Sequence, residues 1–341
     1  MKALLLKSKQ TLSLENVELP ALKSDEMLIK VAACGVCGTD IHLYNGEEGA
    51  GSSTLPLIMG HEFSGTVVEL GSNISKFKAG DRVTVDPNVY CGQCFQCQRG
   101  NGHFCLNAEA YGVSMFGGFA EYCIVTEKAA YKIPDNLSLM HAALVEPIAC
   151  CLHGIDRANI KVGSNVAIIG MGSIGQLMLQ LVKNAGAANI IAIEPQAAKR
   201  EKALQLGATI AIDPSTQDVN QVTSELGIAS IDSVIECVGR ANTMETAIEI
   251  ASRGATVVLF GLTAPNTEIR VKPLEQVFRK ELTITSSFVN PLVTDRVIDL
   301  LASGRIDAEA VITDMIPLDE SIKIFTDAEY RTHGKILVVP N

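Results

Sequence analysis

Cys37, His61 and Glu62 bring a thiolate, an imidazole and a carboxylate into 62 − 37 = 25 residues of chain. These are the ligand types that Zn²⁺ accepts. They stand in Cys34-Gly35-Val36-Cys37-Gly38-Thr39-Asp40-Ile41-His42 and in Gly60-His61-Glu62, among glycines that let the backbone approach closely. A structural zinc fills every position with protein atoms, whereas a catalytic zinc keeps one for water or substrate, and a mixed Cys/His/carboxylate set is the more open kind. Asp40 is near enough to Cys37 to orient His61 through its second ring nitrogen. Alone, one cysteine and one histidine this far apart are as readily structural, so the rest of the chain decides.

Cys91, Cys94, Cys97 and Cys105 follow at spacing C-x2-C-x2-C-x7-C, among glycines and polar residues. One compact loop, about 91–105, can wrap a tetrahedral four-sulfur site from them, which reads as a structural zinc. An iron–sulfur cluster is the competing occupant, because the first three share ferredoxin-like spacing, but the closing Cys-Pro is absent. His103 inside this loop reads as a solvated histidine. The remaining Cys34, Cys123, Cys150, Cys151 and Cys237 read as small buried hydrophobes.

The third stretch is Gly170-Met171-Gly172-Ser173-Ile174-Gly175, directly after the apolar run 166–169 and before a helical pattern that reaches about residue 185. In that strand–turn–helix setting the glycines permit a tight turn, close approach of a pyrophosphate and close packing of helix on strand. Glu194 closes the next apolar run, 189–193, at 194 − 175 = 19 residues past the last glycine. An acid there accepts hydrogen bonds from the adenosine ribose and repels a 2′-phosphate, favouring NAD over NADP. Lys199 and Arg200 come soon after, and Arg200 is counted with the cofactor residues.

Residues 2–6, 27–32, 65–70 and 82–85 are short apolar runs separated by turn signals, the pattern of a small barrel-like β domain whose loops hold the metal residues. Leu144-Val145-Glu146-Pro147 opens a helix, where an acid serves the helix dipole. From about residue 148 strands and helices alternate: 166–169, 189–193, 209–212, 233–238, 255–260 and 282–288 as strands, 219–226 and 242–251 as helices. This is a doubly wound parallel sheet, with Val238, Gly239, Gly261 and Leu262 at strand ends where the nicotinamide pocket should lie. Beyond residue 289, a helix over 294–303 and strands ending at 339 should rejoin the first domain. The expected organisation is therefore α/β, with domains 1–147 and 148–288 and a return segment 289–341.

With 341 residues, 47% of them hydrophobic, the chain can fill more than one core. A net charge of −10 without a Lys/Arg cluster excludes nucleic acid as an expected partner and leaves small molecules. The start 1–7 has too short an apolar core for a signal peptide, and the run 166–182 is broken by glycines and polar residues. A cytoplasmic protein without membrane partners is expected.

Taken in this order, the zinc-type set, the four-cysteine loop and the dinucleotide motif resemble the medium-chain zinc-dependent alcohol dehydrogenases over the whole chain. The marks are 35–42, Gly60-His61-Glu62-Phe63-Ser64-Gly65, the four cysteines and Gly170/Gly172/Gly175. The polyol branch (sorbitol, butanediol and sugar-alcohol-phosphate dehydrogenases) is most similar, because Val145-Glu146-Pro147 stands where the alcohol dehydrogenases proper place a second zinc cysteine. The resemblance implies a GroES-like β-barrel catalytic domain joined to a Rossmann domain, and two zincs per chain, one catalytic and one structural. It implies a catalytic zinc on Cys37, His61 and a carboxylate from Glu62 or Glu146. That metal lowers the pKa of a secondary-alcohol hydroxyl and so promotes hydride transfer to NAD, while Thr39 and His42 relay the proton outward. A homodimer or homotetramer is implied as well. Sorbitol itself fits less well, since Ser287 and Phe288 stand where sorbitol dehydrogenases have an arginine and a tyrosine. Residues 42–47 resemble those of threonine dehydrogenases, which makes L-threonine 3-dehydrogenase or 2,3-butanediol dehydrogenase activity the alternative. A non-catalytic dinucleotide-binding protein is disfavoured by the intact metal set, and an NADPH-dependent aldehyde reductase by Glu194.

Overall fold

A computed structural model describes residues 1–47 and 53–340, apart from the side chains of residues 331 and 332. The backbone divides into two compact units, residues 1–147 with 291–341 and residues 148–290. The return segment thus begins at Pro291, two residues later than the sequence pattern suggests.

The first unit is mainly antiparallel β. Its strands are β1 (Lys2–Ser8), β2 (Thr11–Asn16), β3 (Glu26–Gly35), β4 (Leu57–Ile58), β5 (Glu62–Leu70) and β6 (Arg82–Val85). The short β7 (Asn88–Val89) and β8 (Glu109–Ala110) follow, then β9 (Tyr122–Thr126) and β10 (Ala130–Lys132). Helices α1 (Gly38–Asn45), α2 (Phe95–Gln98) and α3 (Leu139–Ala142) interrupt or follow them, and α4 (Val145–Arg157) begins in this unit and continues into the second. In β3 the apolar residues Met27, Leu28, Ile29, Val31, Ala33 and Cys34 are buried while Lys30 is exposed. Met27, Ile29, Val31 and Cys34 pack with Leu4, Phe63, Val67 and Phe119 into one core. Burying that apolar face is what holds the strands in register.

In the second unit β11 (Asn165–Ile169), β12 (Asn189–Ile193), β13 (Ile210–Ile212), β14 (Ser233–Glu236), β15 (Thr256–Leu259) and β16 (Thr283–Ser286) alternate with α5 (Ser173–Asn184), α6 (Ala197–Leu206), α7 (Val219–Glu225) and α8 (Ala241–Ile250). Every pairing is parallel, in the order β13-β12-β11-β14-β15-β16. The order reverses direction between β11 and β14, the switch point where such sheets bind ligands. Several strands stop short of the apolar runs that signal them. β14 ends at Glu236 rather than 238 because the Glu236 carboxylate captures the amides of Val238 and Gly239 at 2.8 and 2.9 Å and turns the chain.

After α9 (Thr294–Ala302) the first unit is completed by β17 (Ile312–Pro317), α10 (Ile322–Thr326) and β18 (Lys335–Val339). β18 runs parallel to β17 and antiparallel to β3, giving the order β10-β6-β5-β3-β18-β17, with β9 also paired to β3. β3 therefore has β5 on one side and β18 on the other, and Gly35 faces both Glu62 and Leu337 in register. No helix among the described residues is long and apolar enough to cross a membrane.

Candidate metal centre and dinucleotide site

Three turns of structure bring the first cluster together. Cys37 caps the N-terminus of α1, and Asp40 in that first turn accepts its amide at 2.9 Å. His61 and Glu62 enter β5 after Gly60, whose φ of +91° only glycine holds without strain. A Cβ at Gly60 would also lie 2.7 Å from the Cys34 sulfur and 2.8 Å from the Phe119 ring. The ligand atoms of Cys37, His61 and Glu62 consequently lie within 4.8 Å of one another, with His61 and Glu62 buried.

Asp40 faces His61 as the sequence suggests, but as a buried ion pair rather than through a hydrogen bond. Both its oxygens are committed to backbone amides, Cys37 at 2.9 Å and Gly60 at 3.3 Å, and His61 Nδ1 stands 3.6 Å away, beyond hydrogen-bond reach. That nitrogen makes no hydrogen bond and has the Asp40 carboxylate as its ion-pair partner. Burial lowers the basicity of His61, but the charges of Asp40 and Cys37 outweigh it and hold its pKa well above the ordinary value. A field that draws a proton so strongly draws a dication too, and a buried imidazole within 4.8 Å of a thiol and a carboxylate is the donor set zinc takes. The residues fit the metal.

Glu62 has a partner absent from the motif. Lys335, the first residue of β18, donates to both carboxylate oxygens at 2.8 and 2.7 Å and to the Val36 carbonyl at 3.0 Å. The side chains are 3% and 1% exposed. Glu62 reaches across β3 to this lysine because Gly35 lies beneath it: a Cβ there would sit 2.1 Å from Glu62 Oε2. Burial lowers the Lys335 pKa, yet the charges of Glu62, Cys37 and Glu146 prevail and raise it, so the ammonium persists. Glu146, in the first turn of α4, is buried. Thr39 and His42 lie three residues apart on α1 and so share a face; His42 Nδ1 is 2.5 Å from Glu47 Oε2.

The sulfurs of Cys91, Cys94, Cys97 and Cys105 also lie within 4.8 Å of one another, and no disulfide links them. A tetrahedral ion with Zn–S bonds of about 2.3 Å needs sulfurs about 3.8 Å apart, and Cys94 and Cys105 stand at 3.9 Å. A cluster of several irons would hold them wider. Amides of Cys94, Cys91 and Asn107 point at the sulfurs, at 3.3 to 3.4 Å. Amides of Cys97 and Leu106 draw the Cys94 thiol down to about 6, whereas burial and neighbouring sulfurs push Cys97 up to about 12. The loop is built to carry thiolates. Cys97→Ser is expected to lose this metal and to lower the melting temperature, because binding energy at a closed site is folding energy. A scanning-calorimetry trace and zinc content both equal to the parent's would overturn that.

In the second unit Gly170 has φ +93°, and a Cβ on it would lie 2.6 Å from Val238. Gly175 lets α5 close on the loop, since its Cβ would fall 1.9 Å from the Gly170 carbonyl. Above Gly172, the residue before Ser173 and Ile174 at the start of α5, a Cβ would meet nothing within 4 Å. The loop thus leaves open space at a helix N-terminus, where a pyrophosphate fits. Glu194, 5% exposed, accepts the amides of Met171 and Gln196 at 2.8 and 2.9 Å, so its charge lies against that loop. Arg200 is turned to the carbonyls of Glu194 and Pro195, at 2.8 and 2.7 Å, and to Asp213 at 3.2 Å. A cavity of about 330 Å³ is lined by Phe260, Gly261, Leu262, Ser286 and Ser287 among others.

Residues 23–135 match the alcohol dehydrogenase GroES-like domain and residues 173–303 the zinc-binding dehydrogenase domain. Over 345 aligned residues the chain is 33% identical to D-arabinitol dehydrogenase 1 of Uromyces fabae, covering 100% of this chain and 97% of the relative. The chain belongs to the zinc-binding alcohol dehydrogenases. This dehydrogenase is also 36% identical to an L-threonine 3-dehydrogenase of Caldanaerobacter subterraneus, over 95% of its own length and 94% of the other's. A zinc-binding dehydrogenase of Sinorhizobium meliloti, solved bound to NADP, shares its fold with a TM-score of 0.95 and 42% identity over 99% of each chain. The first unit is accordingly a GroES-like domain and the second a Rossmann domain, and the dehydrogenase uses zinc and a nicotinamide dinucleotide.

Two residues escape the sequence motifs. Lys335 is one, and its signal is a lysine opening the otherwise apolar run 335–339. Glu236 is the other: it is fully buried, takes Val238, Gly239 and the Thr243 hydroxyl on Oε1, and a Cβ on Gly261 would lie 2.8 Å from its Oε2. An acid set within the apolar run 233–238 is the trace it leaves.

Proposed function

We propose that the protein oxidises a secondary alcohol of the polyol class, a sugar alcohol or its phosphate, with NAD. The observation that carries this is the convergence of half-buried Cys37 with buried His61 and Glu62, their ligand atoms within 4.8 Å of one another. Cys37, His61 and a carboxylate from Glu62 or Glu146 hold the metal. Bound there, zinc supplies Lewis acidity to the substrate hydroxyl and the nicotinamide accepts the hydride. Thr39 would take the hydroxyl proton, and His42, on the same face of α1, would release it towards solvent. Glu47 accepts from Nδ1 of that imidazole and leaves Nε2 to exchange the proton with solvent. Gly170, Gly172, Ser173, Ile174 and Gly175 cradle the pyrophosphate, Val238 and Gly261 border the nicotinamide, and the loop of Cys91, Cys94, Cys97 and Cys105 holds a second, structural zinc.

NAD is preferred to NADP because the buried Glu194 charge meets a 2′-phosphate unfavourably and Arg200 is occupied by Asp213 and two carbonyls. The 36% identity to an L-threonine 3-dehydrogenase supports that activity as the second reading. β16 is an edge strand with exposed residues, suited to pairing with a second copy in a homo-oligomer of the cytoplasm.

Elemental analysis of purified chain, followed by NAD and NADP reduction over polyols, polyol phosphates, 2,3-butanediol and threonine, tests the reading. Two zincs per chain and NAD-linked turnover on polyols are expected. Turnover confined to threonine selects the second reading. One zinc and no turnover after added Zn²⁺ would remove the catalytic assignment, NADP preference the role of Glu194, and a monomer in sedimentation velocity the oligomer.

A further inference from the structure

Lys335 has no part in the reaction proposed above, yet it is buried beside it. All three ammonium protons are spent: two on Glu62, at 2.8 and 2.7 Å, and one on the Val36 carbonyl at 3.0 Å. The contact is built rather than accidental. β5 and β18 are separated by β3, and the carboxylate crosses to the ammonium only because Gly35 carries no side chain. A site shaped solely to trap a dication would exclude a fixed cation from one of its ligands, because like charges in a buried setting repel strongly. The cation is therefore there for something other than affinity.

We propose that Lys335 is a positioning residue that fixes Glu62 facing Cys37 and His61 while keeping it a weak, releasable metal ligand. The proposal rests on the reading that Cys37, His61 and Glu62 hold the metal. Gripped on both oxygens, Glu62 keeps one orientation and has its charge answered by the ammonium before any metal arrives. A weakly held carboxylate leaves room in the metal's shell for a substrate hydroxyl to enter, which a tight one does not.

The test uses Lys335→Met and Lys335→Arg in the full chain, stripped of metal and titrated with Zn²⁺ against a chromophoric chelator, then loaded with Co²⁺ for visible spectroscopy. Lys335→Met is expected to bind Zn²⁺ tighter by about tenfold or more, since removal of the repelling ammonium outweighs the loss of order in one carboxylate. Its Co²⁺ bands are expected to shift as Glu62 binds in full. Lys335→Arg, which keeps a charge and a fork of donors, is expected to restore both readouts towards the parent. Parent-like or weaker Zn²⁺ binding with unmoved Co²⁺ bands in Lys335→Met would overturn the proposal. Should that variant not fold, Lys335→Gln carries the same expectation and the same refutation. Cys37→Ser separates the two levels: if it holds as many zincs as the parent, the metal reading fails and this proposal with it, whereas one zinc fewer with silent Lys335 variants sinks the proposal alone.

Discussion

Cys37→Ser is expected to lose one of two zincs and to cut kcat by about a thousandfold or more, with the backbone fold intact. The thiolate is the softest donor of the cluster, and a serine hydroxyl stays protonated where the thiol ionises to take a metal. Without the metal a substrate hydroxyl must give up its proton with no Lewis acid beside it, a loss of several kcal/mol of transition-state stabilisation, and each ~1.4 kcal/mol is tenfold in rate. The fold should survive because Cys37 is only half-buried and heads a helix whose cap is made by the Asp40 carboxylate, a bond to the backbone amide that does not involve the sulfur. Elemental analysis with steady-state kinetics checks this. Turnover at the parent rate would show that Cys37 is not a ligand.

Gly35→Ala is expected to lower the melting temperature by roughly 6–12 °C, corresponding to about 3 kcal/mol for a broken buried ion pair. The added methyl would lie 2.1 Å from Glu62 Oε2 and 3.1 Å from Glu62 Cβ, in a strand paired on both sides, so the carboxylate must give way. Once displaced, it leaves Lys335 as a buried ammonium with a single carbonyl, and the uncompensated charge sets the cost. Zinc at the Cys37 centre should fall with it. Gly38→Ala is the control, because a Cβ there meets nothing within 4 Å and sits at the start of a helix. Differential scanning fluorimetry on both variants decides, and equal melting curves would show that the carboxylate moves aside freely.

What the sequence makes legible is what lies close along the chain. The glycine loop, the acid after β12 and the four-cysteine loop each occupy a few dozen residues, and their spacing carries their geometry. The strand–helix alternation of the second unit is legible for the same reason, although its strand ends are not: β14 stops at Glu236 because a side chain bonds two amides, which apolar patterning cannot register. Asp40 shows a partial reading. Its position suggests the partner for His61, and the two do pair, but the backbone amides of Cys37 and Gly60 take the hydrogen bonds of its oxygens, which spacing cannot reveal. The lysine against Glu62 lies 273 residues away, and no local pattern joins the two. Only the register of three neighbouring strands does so.

That separation also orders events during synthesis on the ribosome. The residues of the second unit emerge as an unbroken run and can fold as soon as they are out, whereas the first unit lacks a strand of its central sheet until residue 335 appears. Until then the Cys34–Gly35 end of β3, beyond the reach of β9, lacks its partner strand, and Glu62 is a carboxylate heading for the interior with no cation to meet it. The nascent chain is therefore most vulnerable to misassembly, and most in need of a chaperone, while its nucleotide-binding half is already complete.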